Sequence, residues 1–349
     1  MNNILSRRTL LKGGLASLMI FGTSGLSGFF SKAAAADLVN AAQKTPVIGS
    51  KKVAAGTAGD VAKVYFSPVI DEKSLIKLYN LVNEGITGKV AIKLHTGEKN
   101  GPNILPRDMV KALQATIPNS NIVETNTLYE GTRHNTKAHR ETLEVNGWTF
   151  CPVDIMDEHG DVNLPVADGF HLKEVAMGKG IMDYDSMLVL THYKGHAMGG
   201  FGGSMKNIAI GCASGQVGKR QVHGAPATGL DWSQMAAQDK FMELMADSAK
   251  AVQDHFGKHI TYINVLRNMS VDCDCAGTSA KKPTIHNIGI LASTDLLAID
   301  QAACDLVFAS MEDNKDIVER IQSRHGLRQL SAMAEHKMGK PQYELITVS

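Results

Sequence analysis

Short apolar runs rich in β-branched residues alternate along this chain with segments whose apolar positions recur every three to four residues. The first pair is 61–66, which alternates as a strand does, and 71–83, which has helical spacing. Residues 89–94 read as a strand, 106–117 as a helix opened by proline in its first turn, 121–124 as a strand and 134–145 as a helix. Further on, 185–190 reads as a strand and 232–256 as a long helix. Residues 260–266 and 285–291 read as strands, and 294–309 as a helix capped by Ser293 or Thr294. Such alternation predicts an α/β fold, a mixed or mostly parallel sheet sandwiched by helices, with two intimate lobes as a variant and 167–180 as its weakest seam.

The first 36 residues do not fit that pattern. Ser6-Arg7-Arg8-Thr9-Leu10-Leu11-Lys12 precedes a weakly apolar run that ends at Lys32 and four alanines, the anatomy of a twin-arginine export signal cleaved after Ala35 or Ala36. Gly22, Gly25 and Gly28 interrupt the run, which is short for a membrane span. The expected organisation is therefore a signal over 1–36, a linker over 37–59 and one α/β domain over 60–349. Without the signal's four basic residues, 32 basic residues face 35 acidic ones, and no basic tract remains to read nucleic acid. No later stretch is apolar for long enough to cross a bilayer. A soluble periplasmic or extracytoplasmic protein is expected, with no stable membrane insertion after processing.

Candidate chemistry concentrates in THYKGHAMGGFGGSMKNIAIGCAS, residues Thr191 to Ser214, which follows a strand. Open α/β sheets place their ligands at that carboxyl edge. A nucleotide loop is excluded: Met205 stands before Lys206, where a Walker loop needs glycine, and the dinucleotide fingerprint also fails at Met205. We expect 194–204 to be a mobile loop over a pocket, with Gly202 and Gly203 admitting close backbone approach and an anion at the following helix start. His196, Lys206 and His223 surround it, and His95 ends another strand. His134 and His139 open a charged helix and read as solvated. Five cysteines, an odd number, cannot all pair within one chain. In Asp272-Cys273-Asp274-Cys275 the thiols are badly placed to bond each other and well placed to grip a soft metal or cluster; a disulfide to Cys212 or Cys151, or free thiols, are the alternatives. Cys212 shares an apolar helix face with Met205 and Ile208, and on a regular helix it cannot face one pocket with Lys206 unless the helix breaks at Gly211. A metal held by Cys212, Cys273 and Cys275 requires their sulfurs within roughly 4 Å of one another.

The segments GHAMGGFGGSMKNIAIGCAS, INVLRNMSVDCDCAG and IGILASTDLLAIDQAACDLV resemble domain of unknown function family 362, from Val61 to the C-terminus. Many members resemble iron–sulfur proteins through a ferredoxin-like segment after the glycine-loop region. This chain has no cysteine between His223 and Ile260, so that segment is missing, although Cys212 and Asp-Cys-Asp-Cys match the family core. The order Gly131-Thr132-Arg133-His134, His196, Gly202-Gly203-x-x-Lys206 and His223 is similar to the nickel-pincer lactate racemases. That resemblance implies Lys206 as cofactor anchor, His223 as nickel ligand, and His196 with His134 as acid and base, with Arg133 and His134 reversed from the racemase order.

Two function classes and a third, plainer one follow. The first is an exported metal- or iron–sulfur-binding protein with a redox or electron-transfer role and a redox partner. The second is a cofactor-dependent, racemase-like enzyme acting on a small carboxylate. The third is a metal-free binding protein with the same fold, and a small anionic ligand or a redox partner is the partner expected overall.

Overall fold

Strand Ser186–His192 is buried at all seven positions and Ile260–Leu266 at all seven as well. Strands apolar on both faces belong inside a sheet covered by helices on each side. A computed structural model, which describes residues 32–44, 61–226, 228–310 and 313–348, shows this arrangement. The strands in chain order are β1 (Ala62–Ser67), β2 (Val90–Lys93), β3 (Ser120–Glu124), β4 (Val153–Ile155), β5 (Asp161–Pro165), β6 (Glu174–Gly178), β7 (Ser186–His192), β8 (Lys194–His196), β9 (Gly200–Gly202), β10 (Ile260–Leu266), β11 (Gly289–Ser293) and β12 (Tyr343–Thr347). The helices are α1 (Lys32–Lys44), α2 (Glu72–Asn80), α3 (Arg107–Gln114), α4 (Thr136–Val145), α5 (Ser204–Gly211), α6 (Gly218–His223), α7 (Gln238–Phe256), α8 (Leu296–Ala309), α9 (Lys315–Ser323) and α10 (Arg328–Glu335).

Among the described residues eight strands form one sheet, in the order β12-β1-β11-β10-β7-β2-β3-β4. β11 runs antiparallel to both neighbours, and every other pairing is parallel. A single continuous sheet takes the place of two lobes. Alternate residues feed two cores: Met187 and Val189 of β7 face the side built from α1, α5, α7, α8 and α10, while Leu188 and Leu190 face α2 and α3. The chain moves outward from β2 through β3 to β4, then returns to β7 on the other side of β2. The carboxyl ends of β2 and β7 therefore diverge at a topological switch point, where such sheets open a crevice.

Several local expectations shift. Asp295, not Ser293 or Thr294, caps α8, accepting the backbone N–H of Ala298. The helix expected over 232–256 starts at Gln238, preceded by a separate short turn at Trp232–Gln234. The segment expected as a loop over 194–204 is a two-stranded ribbon that runs into the first residue of α5. Its strands β8 and β9 are buried and only the turn at Ala197 and Met198 reaches the surface, and Gly195 passes so close to Val271 that a Cβ there would lie 2.4 Å from its carbonyl oxygen. The twin-arginine motif lies in 1–31, outside the described residues. Helix α1 runs through the expected cleavage point and the first eight residues of the expected linker, with Ala35, Val39 and Ala42 buried in the core shared with α8. Among the described residues no helix is long and apolar enough to cross a membrane.

Candidate functional site

Helix α5 starts at the switch point and is latched to the sheet by its own second turn. The Asn207 amide donates to the carbonyls of Lys93 and Leu190 and to the Thr191 hydroxyl, while its oxygen accepts from Lys93 Nζ at 3.0 Å. Its N-terminus does not wait for an external anion. The Asp300 carboxylate of α8 accepts the N–H groups of Ser204 at 2.8 Å and Met205 at 2.9 Å, and the Asn264 amide at 2.8 Å. Burial raises Asp300 to about 6 despite these three donors. Gly203 is required there, because a Cβ would lie 2.5 Å from an Asp300 oxygen. The expected anion at the helix start is thus part of the protein.

Beside α5, over the ends of β2, β3 and β7, lies a cavity of ≈ 220 Å³. Lys93, Arg133, Lys194, Lys206 and Lys219 line it, and among the described residues no carboxylate does. Three of these cations are neutralised from behind. Lys93 donates to Glu124 at 2.9 Å; Arg133 bridges Glu98 at 2.8 Å and Glu124 at 3.1 Å; Lys194 lies 3.3 Å from Asp274, which is also held by His192 at 2.8 Å. Burial would raise Glu124 and Asp274, but the facing cations hold both carboxyls below the usual range. Lys219 donates to the Thr125 hydroxyl and the Ala213 carbonyl, and burial lowers its ammonium to about 8. Lys206 is the exception. It is buried, and among the described residues neither a carboxylate nor a hydrogen-bond acceptor meets its Nζ.

The histidines divide by tautomer. His196 Nδ1 accepts the N–H groups of Gly199 at 2.9 Å and Met198 at 3.2 Å. A backbone N–H can only donate, so the neutral His196 ring carries its proton on Nε2. His95 behaves alike, its Nδ1 accepting Gly97 N–H at 2.9 Å. His223 is the reverse: Nδ1–H donates to the Lys219 carbonyl at 2.7 Å, which leaves the Nε2 lone pair free. Burial first, then Lys206, lowers His196 well below its ordinary value; burial lowers His223 to about 4. The cavity therefore holds one imidazole that donates and one that accepts near neutral pH.

Cys273, Cys275 and a ring nitrogen of His196 lie within 4.8 Å of one another. The expected three-sulfur shell does not form. Cys212 caps the end of α5, fully buried in the apolar core, and lines no part of the cavity; burial pushes its thiol up to about 12. Helix geometry had already set it apart from Lys206. Nor can His196 complete the shell, since its Nε2 bears a proton. Cys304 sits in the core against the Tyr193 hydroxyl, and Cys151 packs on the other side of the sheet. All five thiols are free. His134 is also displaced: Asn135 caps α4, leaving His134 exposed with its ring on Gly131 and Asn135, while Arg133 turns into the cavity. His139, expected to be solvated, is fully buried. Gly202, Gly203, His196, Lys206, His223, Cys273 and Cys275 do converge on one cavity. Lys93, Arg133, Lys194, Lys219 and Glu124 were not foreseen. The one visible signal is a lysine closing the apolar run Val90-Ala91-Ile92.

The model of the domain of unknown function DUF362 matches residues 90–305. The chain belongs to this family. That match contains every cavity residue named above, so the site of this DUF362 protein is built by the family domain. No curated protein matches the sequence. Among solved structures it is similar to the lactate racemase apoprotein of Thermoanaerobacterium thermosaccharolyticum, at 12% identity and a TM-score of 0.43, covering 71% of this chain and 57% of that one. It is also similar to a structural-genomics protein from Thermotoga maritima, at 10% identity and a TM-score of 0.39, covering 69% and 59%. The chain thus spans less than two thirds of either structure.

Acid lability follows from the imidazoles. Burial first lowers His95, His139 (to about 3), His196 and His223 (to about 4), against about 6.5 in the unfolded chain. Below pH 6.5 the unfolded state binds protons that the native state refuses, so stability falls as pH drops from 6.5 toward 4. Each histidine contributes up to about 1.4 kcal/mol per pH unit. Asp300, raised to about 6, and Asp295, also raised by burial, oppose this. Calorimetry should show Tm falling from pH 7 to pH 5, less steeply in His139→Gln; a flat or rising Tm would contradict the assignment.

Proposed function

We propose that this DUF362 protein is an enzyme that holds a small organic carboxylate in the cationic cavity and exchanges a proton with it through His196 and His223. The observation that carries this reading is Lys206, a buried ammonium without a carboxylate partner, between an imidazole that donates and one that accepts. A buried charge is costly unless something pairs with it, and a ligand carboxylate supplies the partner. His223 Nε2 is the base. His196 Nε2–H is the donor toward developing negative charge.

The nickel-pincer cofactor implied by the resemblance to lactate racemases fits in part. Lys206 offers an Nζ that meets no acceptor as anchor, and His223 offers an Nε2 lone pair with Nδ1–H tied to a carbonyl, the arrangement that orients metal-binding imidazoles. His134 faces solvent, so the resemblance's second acid–base residue is missing. Bound there, such a group would supply a hydride acceptor next to the substrate carbon. The iron–sulfur alternative has weaker support: a four-thiolate cluster needs two more sulfurs than Cys273 and Cys275 bring to the cavity.

Calorimetric titration with two- to four-carbon 2-hydroxy and 2-oxo carboxylates tests the reading. Binding is expected for the acids and not for their amides, and wash-in of solvent deuterium beside the carboxylate should disappear in His223→Gln. Equal affinity for acids and amides, or no binding by any acid, would sink it.

We also propose export through the twin-arginine route on the strength of residues 6–12. Arg7→Lys with Arg8→Lys should leave full-length precursor in the cytoplasm, and normal processing of that double variant would refute the route.

A further inference from the structure

His95, His196, Cys275 and Lys206, titratable neighbours that share the cavity with the Cys273 sulfur, are hydrogen-bond donors or a cation. His95 and His196 both spend Nδ1 on backbone N–H groups, so the nitrogen each has left carries a proton. The Cys275 sulfur and a ring nitrogen of His196 lie within 4.8 Å of the Cys273 sulfur, and His95 and Lys206 line the same cavity. The hydrogen bond from Cys275 first, then Lys206 and His95, outweigh burial and hold the Cys273 thiol well below its ordinary range; Cys275 is correspondingly raised. Protonated imidazole nitrogens cannot ligate a metal, but they do stabilise an anion, and a thiolate is the nucleophilic form of cysteine. The sulfur faces the same cavity as Lys206.

We propose that Cys273 is a nucleophile that forms a reversible covalent adduct with a 2-oxo carboxylate or aldehyde acid bound in the cavity. The choice of ligand rests on the carboxylate reading above, whereas the nucleophile rests on the sulfur's own surroundings. A cation beside a nucleophile calls for a ligand with an anion beside an electrophilic carbon, and an oxo acid has both. In the step, a Cys273 Sγ lone pair forms the C–S bond to the carbonyl carbon and the C=O π pair moves onto oxygen. That oxygen takes the Cys275 thiol proton, giving a hemithioketal or hemithioacetal. The negative charge passes from Cys273 to Cys275, so the cavity's net charge is unchanged, and reversal releases the ligand intact. No oxidant or reductant is consumed.

The test uses the full-length protein, in two measurements. Peptide mass mapping after brief exposure to iodoacetate or iodoacetamide at pH 6 should find Cys273 alkylated about tenfold or more faster than the other four cysteines, faster by the anionic reagent, and protected by pyruvate or glyoxylate. Carbon NMR of 2-13C-labelled pyruvate or glyoxylate should show a protein-bound sp3 carbon that is absent with Cys273→Ser, a near-isosteric change. Slow alkylation of Cys273 overturns the nucleophile. Calorimetric binding of the acids without the sp3 signal overturns the adduct and leaves the carboxylate reading standing. Fast alkylation at equal rates by both reagents, with neither protection nor carbon signal, overturns the ligand class together with that reading.

Discussion

Replacing Glu124 with alanine is expected to cost about 3–5 kcal/mol of folding stability, the scale on which an orphaned buried charge weighs. Glu124 closes β3 and accepts Lys93 Nζ at 2.9 Å, Arg133 Nη1 at 3.1 Å and the Thr96 N–H at 3.0 Å. Side-chain exposure is 1% for Lys93 and 4% for Arg133, so neither can turn to water. The alanine variant leaves Lys93 without a carboxylate beside Arg133, which keeps only Glu98, and a loop N–H without its acceptor. Against a total of about 5–15 kcal/mol, that loss brings the chain close to unfolding. Urea denaturation should show it directly. Adding Lys93→Met to Glu124→Ala should recover part of the loss, since one orphaned charge is then gone. A change under about 1 kcal/mol in the single variant would show that the network does not hold the cavity floor.

Lys206→Met is expected to act in opposite directions on binding and on stability. The methionine keeps most of the volume and removes the one lysine side chain that, among the described cavity residues, meets neither a carboxylate nor a hydrogen-bond acceptor. A charge-assisted hydrogen bond to ligand is worth roughly 2–3 kcal/mol, so carboxylate affinity should fall about 30- to 150-fold. Stability should stay level or rise, because burying an unpaired charge works against folding. Sites kept for function commonly carry such a cost. Calorimetry with the tightest-binding acid and a thermal melt of the same sample read both signs. Unchanged affinity would remove Lys206 from the site, and a large drop in Tm would mean that its role is structural.

Much of the site was legible because its chemistry is clustered in sequence. His196, Lys206 and His223 sit on β8, α5 and α6, all within 31 residues of the end of β7, and helix spacing alone separated Lys206 from Cys212. His134 is exposed, whereas Arg133, one residue away, lines the cavity. Which of Arg133 and His134 turns inward depends on where α4 is capped, and Asn135, not either of them, performs that task. The mobile loop became a buried ribbon because Gly195 packs against the Val271 backbone, a contact between segments about 76 residues apart that no local pattern announces.

Sequence by itself determined the alternation of strands and helices, the placement of a glycine-rich segment at a strand's carboxyl end, and the residue types gathered there, since periodicity and turn chemistry are local properties. Tertiary structure decided which charges are silent. Glu124 neutralises Lys93 across 31 residues because β2 and β3 are neighbours, and Asp300 reaches Ser204 across 96 because α8 packs beside α5. Only after those pairings are made does Lys206 emerge as unpaired and Cys273 as surrounded by donors. A residue's charge is written in its letter, but whether that charge remains available depends on what the fold brings within 3 Å of it.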